Sequence, residues 1–200
     1  MKYTKTACNN RSIIERIDMK RIVFYGKSGV GKSTTCKNAI AYYEEKGNTV
    51  EVLKLAYPLY LLQKEFYDIA EIEIDFYEQN QKLLEIIATN LREIKPNSLI
   101  DNFNKRLSEC NSEIIINDDL RDTKIDYPSM KKNGFIFIKI ECDEELRIER
   151  LKKRNDLKTV VHSKTTDAIE KIAADFVINT SAEDKNVAKN KLYEILNTLE

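Results

Sequence analysis

A glycine-rich stretch near the start of the chain constrains the fold most strongly. Residues 26–33 read GKSGVGKS and match the pattern G-x-x-x-x-G-K-[ST]. A short apolar run, RIVFY, precedes the stretch, and a helical pattern follows it from Lys32 to about Lys46, where Gly47 ends it. This order of strand, glycine-rich loop and helix predicts a phosphate-binding loop (P-loop) inside an α/β domain.

Each part of the motif has a chemical reason. Glycines let the loop curl, so that successive backbone N–H groups point inward at anionic oxygens. The helix that starts at Lys32 directs its positive end at the same phosphates. We expect Lys32 to reach the β- and γ-phosphate oxygens of ATP and the Ser33 hydroxyl to bind Mg²⁺. The residues expected to contact ATP in this loop are Gly26, Ser28, Gly29, Val30, Gly31, Lys32, Ser33 and Thr34.

The rest of the chain alternates apolar strands with helical patterns. Further strands are predicted at 49–56, 113–117, 135–140 and 175–180, and helices between 58 and 110, after 141 and at 186–199. The alternation predicts a parallel sheet of about five strands with helices on both faces. Residues 58–110 are expected to form a helical insertion on one side of the sheet, residues 118–134 a polar loop, and residues 1–19 an N-terminal extension to the domain at 20–200.

Composition excludes several classes of protein. Basic and acidic residues both number 33, so no net basic charge points to a nucleic acid polymer or a membrane surface. No apolar run reaches membrane-spanning length, and residues 1–20 lack the apolar core of a signal peptide. The four cysteines are widely spaced, which favours free thiols over a disulfide or zinc framework. We therefore expect a cytoplasmic protein, monomer or homodimer, with a small-molecule substrate.

Two carboxylates follow the strand at 113–117. A P-loop enzyme needs an acidic group near its metal, usually at the end of a neighbouring strand. Asp118 and Asp119 are the candidates, with Asp119 preferred because of the residues that follow it. The alternative is that both are turn or helix-cap carboxylates, which are common for Asp.

Four stretches resemble the deoxynucleoside monophosphate kinases of phages and bacteria, within the larger group of P-loop nucleoside monophosphate kinases. They read IIINDDLRD, LKLAYPLYLLQKEF, LLEIIATNLREIKPNSLIDNF and DFVINTSAEDKNVAKNKLYEILNTL. The resemblance implies a P-loop kinase fold with an acceptor-binding insertion at 58–110 and a short lid at 141–165. It also implies transfer of the γ-phosphate of ATP to a nucleoside monophosphate, deoxy or modified. The departures from the family pattern, such as Glu85 in place of a glutamine, fall on the acceptor side.

The resemblance also implies roles for residues outside the P-loop. Arg121, in the Asp-x-Arg step after Asp119, would bridge the donor and acceptor phosphates, and Arg92 would bind the acceptor's phosphate. Residues Tyr57, Pro58 and Glu85 would line the acceptor pocket. The expected catalytic set is Lys32, Asp119, Arg121 and Arg150.

The segment after residue 141 is expected to close over the donor. Arg147, Arg150 and Arg154 are spaced by three and four, which puts them on one face of a helix. Arg150 and Arg154 are the preferred lid ligands for the ATP phosphates, and Thr180 would lie in the loop around the adenine.

Two other functions stay open at this point. One is a P-loop kinase of another small phosphorylated metabolite, such as dephospho-coenzyme A, which would share the fold and donor site. The other is a nucleotide-binding regulatory switch, although the sequence shows no Asn-Lys-x-Asp tetrad of the kind that reads guanine.

Overall fold

A parallel five-stranded sheet forms the centre of the molecule. The structure, a computed structural model, describes residues 19–153 and 168–200. The strands are β1 (Lys20–Tyr25), β2 (Val50–Val52), β3 (Ile114–Asn117), β4 (Ile136–Glu141) and β5 (Phe176–Asn179). They are ordered β2-β3-β1-β4-β5, and Ile22 of β1 lies opposite Ile116 of β3 and Ile136 of β4. The expected α/β architecture with a parallel sheet is thus confirmed.

Helices connect the strands and cover both faces of the sheet. They are α1 (Lys32–Glu45), α2 (Tyr57–Ile69), α3 (Gln81–Ile94), α4 (Ser98–Glu109), α5 (Asp126–Lys132), α6 (Glu144–Lys153) and α7 (Lys185–Thr198). Among the described residues, none of these helices is long and apolar enough to cross a membrane.

The two faces of β1 separate the core into two layers because side chains alternate along a strand. Ile22 and Phe24 face α1 and α7. Val23 and Tyr25 face the opposite layer, which contains Phe103 of α4 and other buried residues of that layer. The P-loop leaves the carboxyl end of β1 between β3 and β4, the point in an open parallel sheet where ligands generally bind.

Helix α4 belongs to the sheet layer rather than to a separate insertion. Its side chains Ile100, Phe103 and Leu107 are buried against the sheet. Helices α2 and α3 instead share a small cluster of their own, which includes Leu59 and Ile87. The part of 58–110 that stands apart from the sheet is therefore α2, α3 and their connection.

The segment expected to be a polar loop contains a helix, α5, so that expectation was wrong. Pro128 lies in the first turn of α5, where its missing N–H costs no hydrogen bond. Met130 is fully buried in the core under the sheet, and the Asp122 carboxylate accepts from the N–H of Lys124 (2.7 Å) and Ile125 (2.9 Å) just ahead of the helix. The packing of Met130 and the turn that Asp122 holds ahead of the helix stabilise a helix that the sequence pattern alone does not show.

Strand β2 is also shorter than expected. The sequence predicts a strand over 49–56, whereas the strand ends at Val52 and the chain turns toward α2. In this turn the amides of Leu55 and Ala56 donate to the Asp119 carboxylate, so they do not donate to a neighbouring strand.

Candidate active site

The glycines of the P-loop have backbone conformations that other residues rarely adopt. Gly26, Gly29 and Gly31 have φ angles of 141°, 88° and 101°. A Cβ atom on Gly26 would lie 2.1 Å from the carbonyl oxygen of Ile140 in β4, a distance that no side chain tolerates. The loop can leave the sheet at this point only because residue 26 has no side chain.

The N-terminus of α1 directs backbone N–H groups toward the concave side of the loop. Gly31 is its N-cap and no side chain caps it, so the first amides of the helix have no intrahelical partner. Ser33 and Thr34 in this first turn are exposed. The Lys32 ammonium bends back across the loop and donates to the carbonyl oxygens of Gly26 and Lys27, both at 2.9 Å. Together these groups form a positive, amide-lined concavity that suits a nucleotide triphosphate.

Helix α6 contacts the outer side of the loop through Arg147. This side chain is 1% exposed, and its Nη1 donates to the Ser28 carbonyl oxygen at 3.0 Å. Its Nε and Nη2 bind the two carboxylate oxygens of Glu144 at 2.9 and 2.5 Å. From the sequence, Arg150 and Arg154 were preferred to Arg147 as lid ligands. The spacing of three residues between Arg147 and Arg150 indicated a shared helix face, but it could not show which of the two arginines contacts the P-loop.

Thr180 contacts the same side of the loop. Its hydroxyl donates to the Val30 carbonyl oxygen at 2.7 Å, and its backbone N–H donates to the Glu141 carbonyl oxygen. Arg150 donates to the Thr180 hydroxyl (3.0 Å) and carbonyl oxygen (2.9 Å). The structure thus places both expected donor-site residues next to the P-loop, but bound to protein groups. The third, Arg154, lies outside the described residues.

Asp118 and Asp119 have different surroundings at the end of β3. The Asp118 carboxylate is 2.5 Å from the ammonium of Lys54, in a pair that is largely shielded from solvent. Burial alone would lower the pKa of Lys54, but the charge and hydrogen bond of Asp118 outweigh it and the net pKa is raised. Burial raises the pKa of Cys36, a buried residue of α1, to about 12, and the charge of Asp118 contributes to the rise. Asp118 therefore faces α1, the helix that carries Ser33.

The Asp119 carboxylate is engaged by the protein backbone. Its Oδ1 accepts from the N–H of Leu55 (2.8 Å) and the side-chain amide of Asn117 (2.6 Å), and its Oδ2 accepts from the N–H of Ala56 (2.9 Å). Ala56 is the N-cap residue of α2. Leu55 and Ala56 form the turn before α2, so Asp119 has the role of a turn carboxylate, one of the alternatives that the sequence left open. The arrangement favours Asp118 over Asp119 as the carboxylate available to a metal, the reverse of the order that we inferred from sequence.

Aromatic side chains form one wall at the start of α2, where the sequence predicts the acceptor site. Tyr57, at the start of α2 before Pro58, packs against Phe76 with ring centroids 5.6 Å apart. The ring of Phe76 is 4.8 Å from that of Tyr77, and both come from the connection between α2 and α3. Buried Gln63 holds this connection, because its amide donates to the Glu78 carbonyl oxygen and accepts from the Asn80 N–H.

Arg106 of α4 completes this wall. Its guanidinium lies 4.7 Å from the centre of the Tyr57 ring and donates to the Lys54 carbonyl oxygen at 2.5 Å. Sequence reasoning missed Phe76, Tyr77 and Arg106. Their residue types suit contact with a base or a phosphate, but the neighbouring sequence does not show that the connection between α2 and α3 folds back on α2.

Two arginines on the acceptor side have no hydrogen bond or salt bridge to any residue in the described ranges. Arg121 is exposed, and Arg92 is half-buried on α3. The positive charge of Arg121 acts on Tyr60, and that of Arg92 acts on buried Asp126. Cations that have no such partner among the described residues are suited to bind an anionic ligand.

Asp126 is a buried acid in this region. The side chain is 5% exposed, and its Oδ2 accepts from the Asp122 N–H at 3.0 Å. Burial raises the pKa of this carboxyl to about 6, the charges of Asp122 and Asp119 add to the rise, and the charge of Arg92 opposes it.

Glu85, by contrast, is exposed on α3, and its carboxylate accepts from the side-chain amide of Gln81 on the same helix. The hydrogen bonds of Glu85 within the described residues stay on α3, so the structure does not link it to the aromatic wall.

Comparison with known proteins agrees with this architecture. A shikimate kinase from Bacteroides thetaiotaomicron superposes with a TM-score of 0.53 at 16% sequence identity, covering 90% of this chain and 98% of that one. An APS kinase from Mycobacterium tuberculosis, solved in complex with AMPPNP and APS, superposes with a TM-score of 0.53 at 14% identity, covering 91% of this chain and 98% of that one. At these identities the likeness shows the fold alone, which is that of the P-loop kinases.

A protein family described as an AAA domain matches residues 22–171, which include the P-loop, α1 to α6, most of β1 and the strands β2 to β4. Since the match spans most of the 200 residues, the chain belongs to this AAA domain family.

Proposed function

We propose that the protein transfers the γ-phosphate of ATP to a nucleoside monophosphate, giving the diphosphate. One observation carries the proposal: an amide-lined P-loop with a lysine across it occurs together with two arginines, Arg92 and Arg121, that have no hydrogen-bonding or salt-bridge partner among the described residues. The first feature suits a triphosphate donor, and the second suits a separate anionic acceptor.

The donor residues act mainly by position and charge. In phosphoryl transfer the protein aligns the reacting groups and stabilises the charge on the transferring phosphoryl oxygens. We assign this role to Lys32 and to the P-loop amides. In the state described here, the Lys32 ammonium binds two loop carbonyls, and it would exchange these for phosphate oxygens of ATP.

The residues present fit a magnesium ion that is shared with the nucleotide. Within the described ranges, no group of three or more His, Cys, Asp or Glu side chains is arranged to hold a metal by itself. Mg²⁺ in kinases commonly takes one or two protein ligands and fills its shell with phosphate oxygens and water. We assign the Ser33 hydroxyl and the Asp118 carboxylate as the protein ligands, and the ammonium of Lys54 pairs with this carboxylate. When bound, the ion supplies charge neutralisation between the β- and γ-phosphates.

The acceptor side favours a ligand that is both anionic and aromatic. Arg92 and Arg121 offer guanidinium groups to a phosphate, and Tyr57 and Phe76 offer aromatic surface to a base. A monophosphate needs no protein base, since its second pKa is near 6 and the dianion dominates at neutral pH. An acceptor phosphate oxygen forms the new bond to the γ-phosphorus, the bond from that phosphorus to the β–γ bridging oxygen breaks, and ADP leaves.

Release of ADP from ATP and Mg²⁺ tests the proposal. The assay compares the common ribo- and deoxynucleoside monophosphates, with dephospho-coenzyme A included as another small phosphorylated acceptor. One or a few nucleotides should stimulate ADP release strongly, and Lys32→Ala should abolish the stimulation. Stimulation by dephospho-coenzyme A alone would move the acceptor to another metabolite, and stimulation by none of these compounds would refute the acceptor assignment.

A further inference from the structure

The outer side of the P-loop carries hydrogen bonds that have no role in the proposed phosphoryl transfer itself. Arg147 binds the carbonyl oxygen of Ser28, and Thr180 binds that of Val30. Arg147 comes from α6 and Thr180 follows β5, so two different elements contact alternate peptide groups of the same loop. We call Arg147 and Thr180, with their supports Glu144 and Arg150, the outer clamp.

These bonds fix the orientation of two peptide planes. In a planar trans peptide the C=O and the N–H of the following residue point in opposite directions. Holding the Ser28 carbonyl outward toward Arg147 therefore turns the Gly29 N–H inward. Holding the Val30 carbonyl outward toward Thr180 does the same for the Gly31 N–H. These two amides point to the side where a P-loop binds phosphate.

The two glycines could otherwise reorient. Gly29 and Gly31 have φ angles of 88° and 101°, and glycine passes between positive and negative φ at little cost. A loop that is free to rotate these peptides would lose entropy each time it bound a phosphate. Fixing them beforehand reduces this loss, which is how preorganisation increases affinity.

The clamp residues are themselves held firmly. Glu144 accepts from Nε and Nη2 along one edge of the Arg147 guanidinium, which leaves Nη1 directed at Ser28. Arg150 donates to the hydroxyl and carbonyl oxygens of Thr180, which orients the hydroxyl hydrogen toward Val30. Helix α6 also lies tight against the loop, because a Cβ on Gly29 would be 3.0 Å from the Arg147 carbonyl oxygen.

We propose that Arg147 and Thr180 are positioning residues that hold the Gly29 and Gly31 amides toward the β- and γ-phosphates of the donor. The inference rests on the proposed function only in taking a nucleotide triphosphate as the donor. It predicts a specific pattern: loss of either residue weakens binding of the triphosphate, leaves binding of AMP unchanged and leaves the KM for the acceptor unchanged.

Calorimetric titration of the full chain with AMPPNP and with AMP tests the inference. Arg147→Met and Thr180→Val should each weaken AMPPNP binding by about tenfold, the effect of losing one well-placed hydrogen bond. The affinity for AMP should change less than about twofold, well under the tenfold effect of a lost hydrogen bond. Thr180→Ser keeps the hydroxyl and should restore most of the AMPPNP affinity.

Arg21→Met is the matched control. Arg21 is a part-buried arginine that donates to the Asn133 carbonyl oxygen, away from the P-loop. Its loss should lower thermal stability without changing AMPPNP affinity. If Arg147→Met fails to fold, as judged by circular dichroism, comparison of Thr180→Val with Thr180→Ser tests the inference by itself.

Equal AMPPNP affinity in the wild-type protein and in folded variants of both residues would refute the proposal that the outer clamp positions the two amides. A parallel loss of AMP binding would overturn it too, since it would mean general damage to the site. Absence of AMPPNP binding in the wild-type protein would refute the donor assignment together with the inference. Failure to find an acceptor would affect only the proposed function, because the AMPPNP titration is carried out without a nucleoside monophosphate.

Discussion

Asp126→Asn should stabilise the protein at alkaline pH and have no such effect at acid pH. The Asp126 carboxyl is 5% exposed, at the start of α5, with Asp122 and Asp119 as the nearby negative charges and Arg92 as the nearby positive one. Burial raises its pKa from 3.8 to about 6. Asparagine has nearly the same shape, cannot ionise, and can still accept the hydrogen bond from the Asp122 N–H.

The size and sign of the effect follow from linkage. Because the pKa of Asp126 is higher in the folded state, the stability linked to its proton is complete below about pH 4 and is lost as pH rises through about 6. A difference of about two pH units corresponds to about 3 kcal/mol in full, and part of it is already lost at pH 4 because the unfolded carboxyl is partly ionised there. The variant should therefore gain about 2 kcal/mol on the wild type between pH 4 and pH 8.

Urea unfolding of both proteins at pH 4, 5, 6, 7 and 8, without ligand, measures this gain. Asp101→Asn is the control, because Asp101 is an exposed carboxylate paired with Lys95 at the surface. The control should change stability by less than about 0.5 kcal/mol at every pH. A difference between Asp126→Asn and wild type that stays constant from pH 4 to pH 8 would show that Asp126 does not carry the raised pKa.

Four other predictions concern the site and the core. Gly26→Ala should abolish AMPPNP binding in calorimetric titration, because its Cβ would lie 2.1 Å from a backbone oxygen of β4; retained affinity would contradict the loop geometry. Arg92→Ala should lower kcat/KM for the acceptor by about 10- to 100-fold and leave the KM for ATP unchanged, as expected for a lost charged hydrogen bond. Asp118→Asn should raise the Mg²⁺ concentration for half-maximal rate more than Asp119→Asn does; the opposite order would return the metal to Asp119. Phe103→Ala, at a fully buried position, should cost about 3–5 kcal/mol in urea unfolding.

The sequence predicted best those features that depend on neighbouring residues. The P-loop, the end of β1 at Tyr25 and the start of α1 at Lys32 lie where the motif predicts them, because the glycines, the strand and the helix are adjacent in the chain. The strands β3, β4 and β5 are within one residue of their predicted limits, since each is a short apolar run bounded by polar residues.

The sequence could not predict features that depend on distant contacts. Helix α5 has a proline in its first turn, and the burial of Met130 that stabilises it appears only in the folded core. The two aspartates that follow β3 are adjacent, so the motif could not decide which of them the amides of Leu55 and Ala56 would engage. Likewise, the spacing of Arg147 and Arg150 predicted a shared helix face but not that both would bind protein groups beside the P-loop.

Transfer of radiolabel from γ-³²P-ATP tests the central claim most directly. The wild-type protein is incubated with labelled ATP, Mg²⁺ and each nucleoside monophosphate in turn, and the products are separated by thin-layer chromatography. The account predicts label in a nucleoside diphosphate for at least one acceptor, and none with Lys32→Ala. Label found only in inorganic phosphate, at the same rate with and without acceptor, would contradict it and identify the protein as a nucleotide hydrolase.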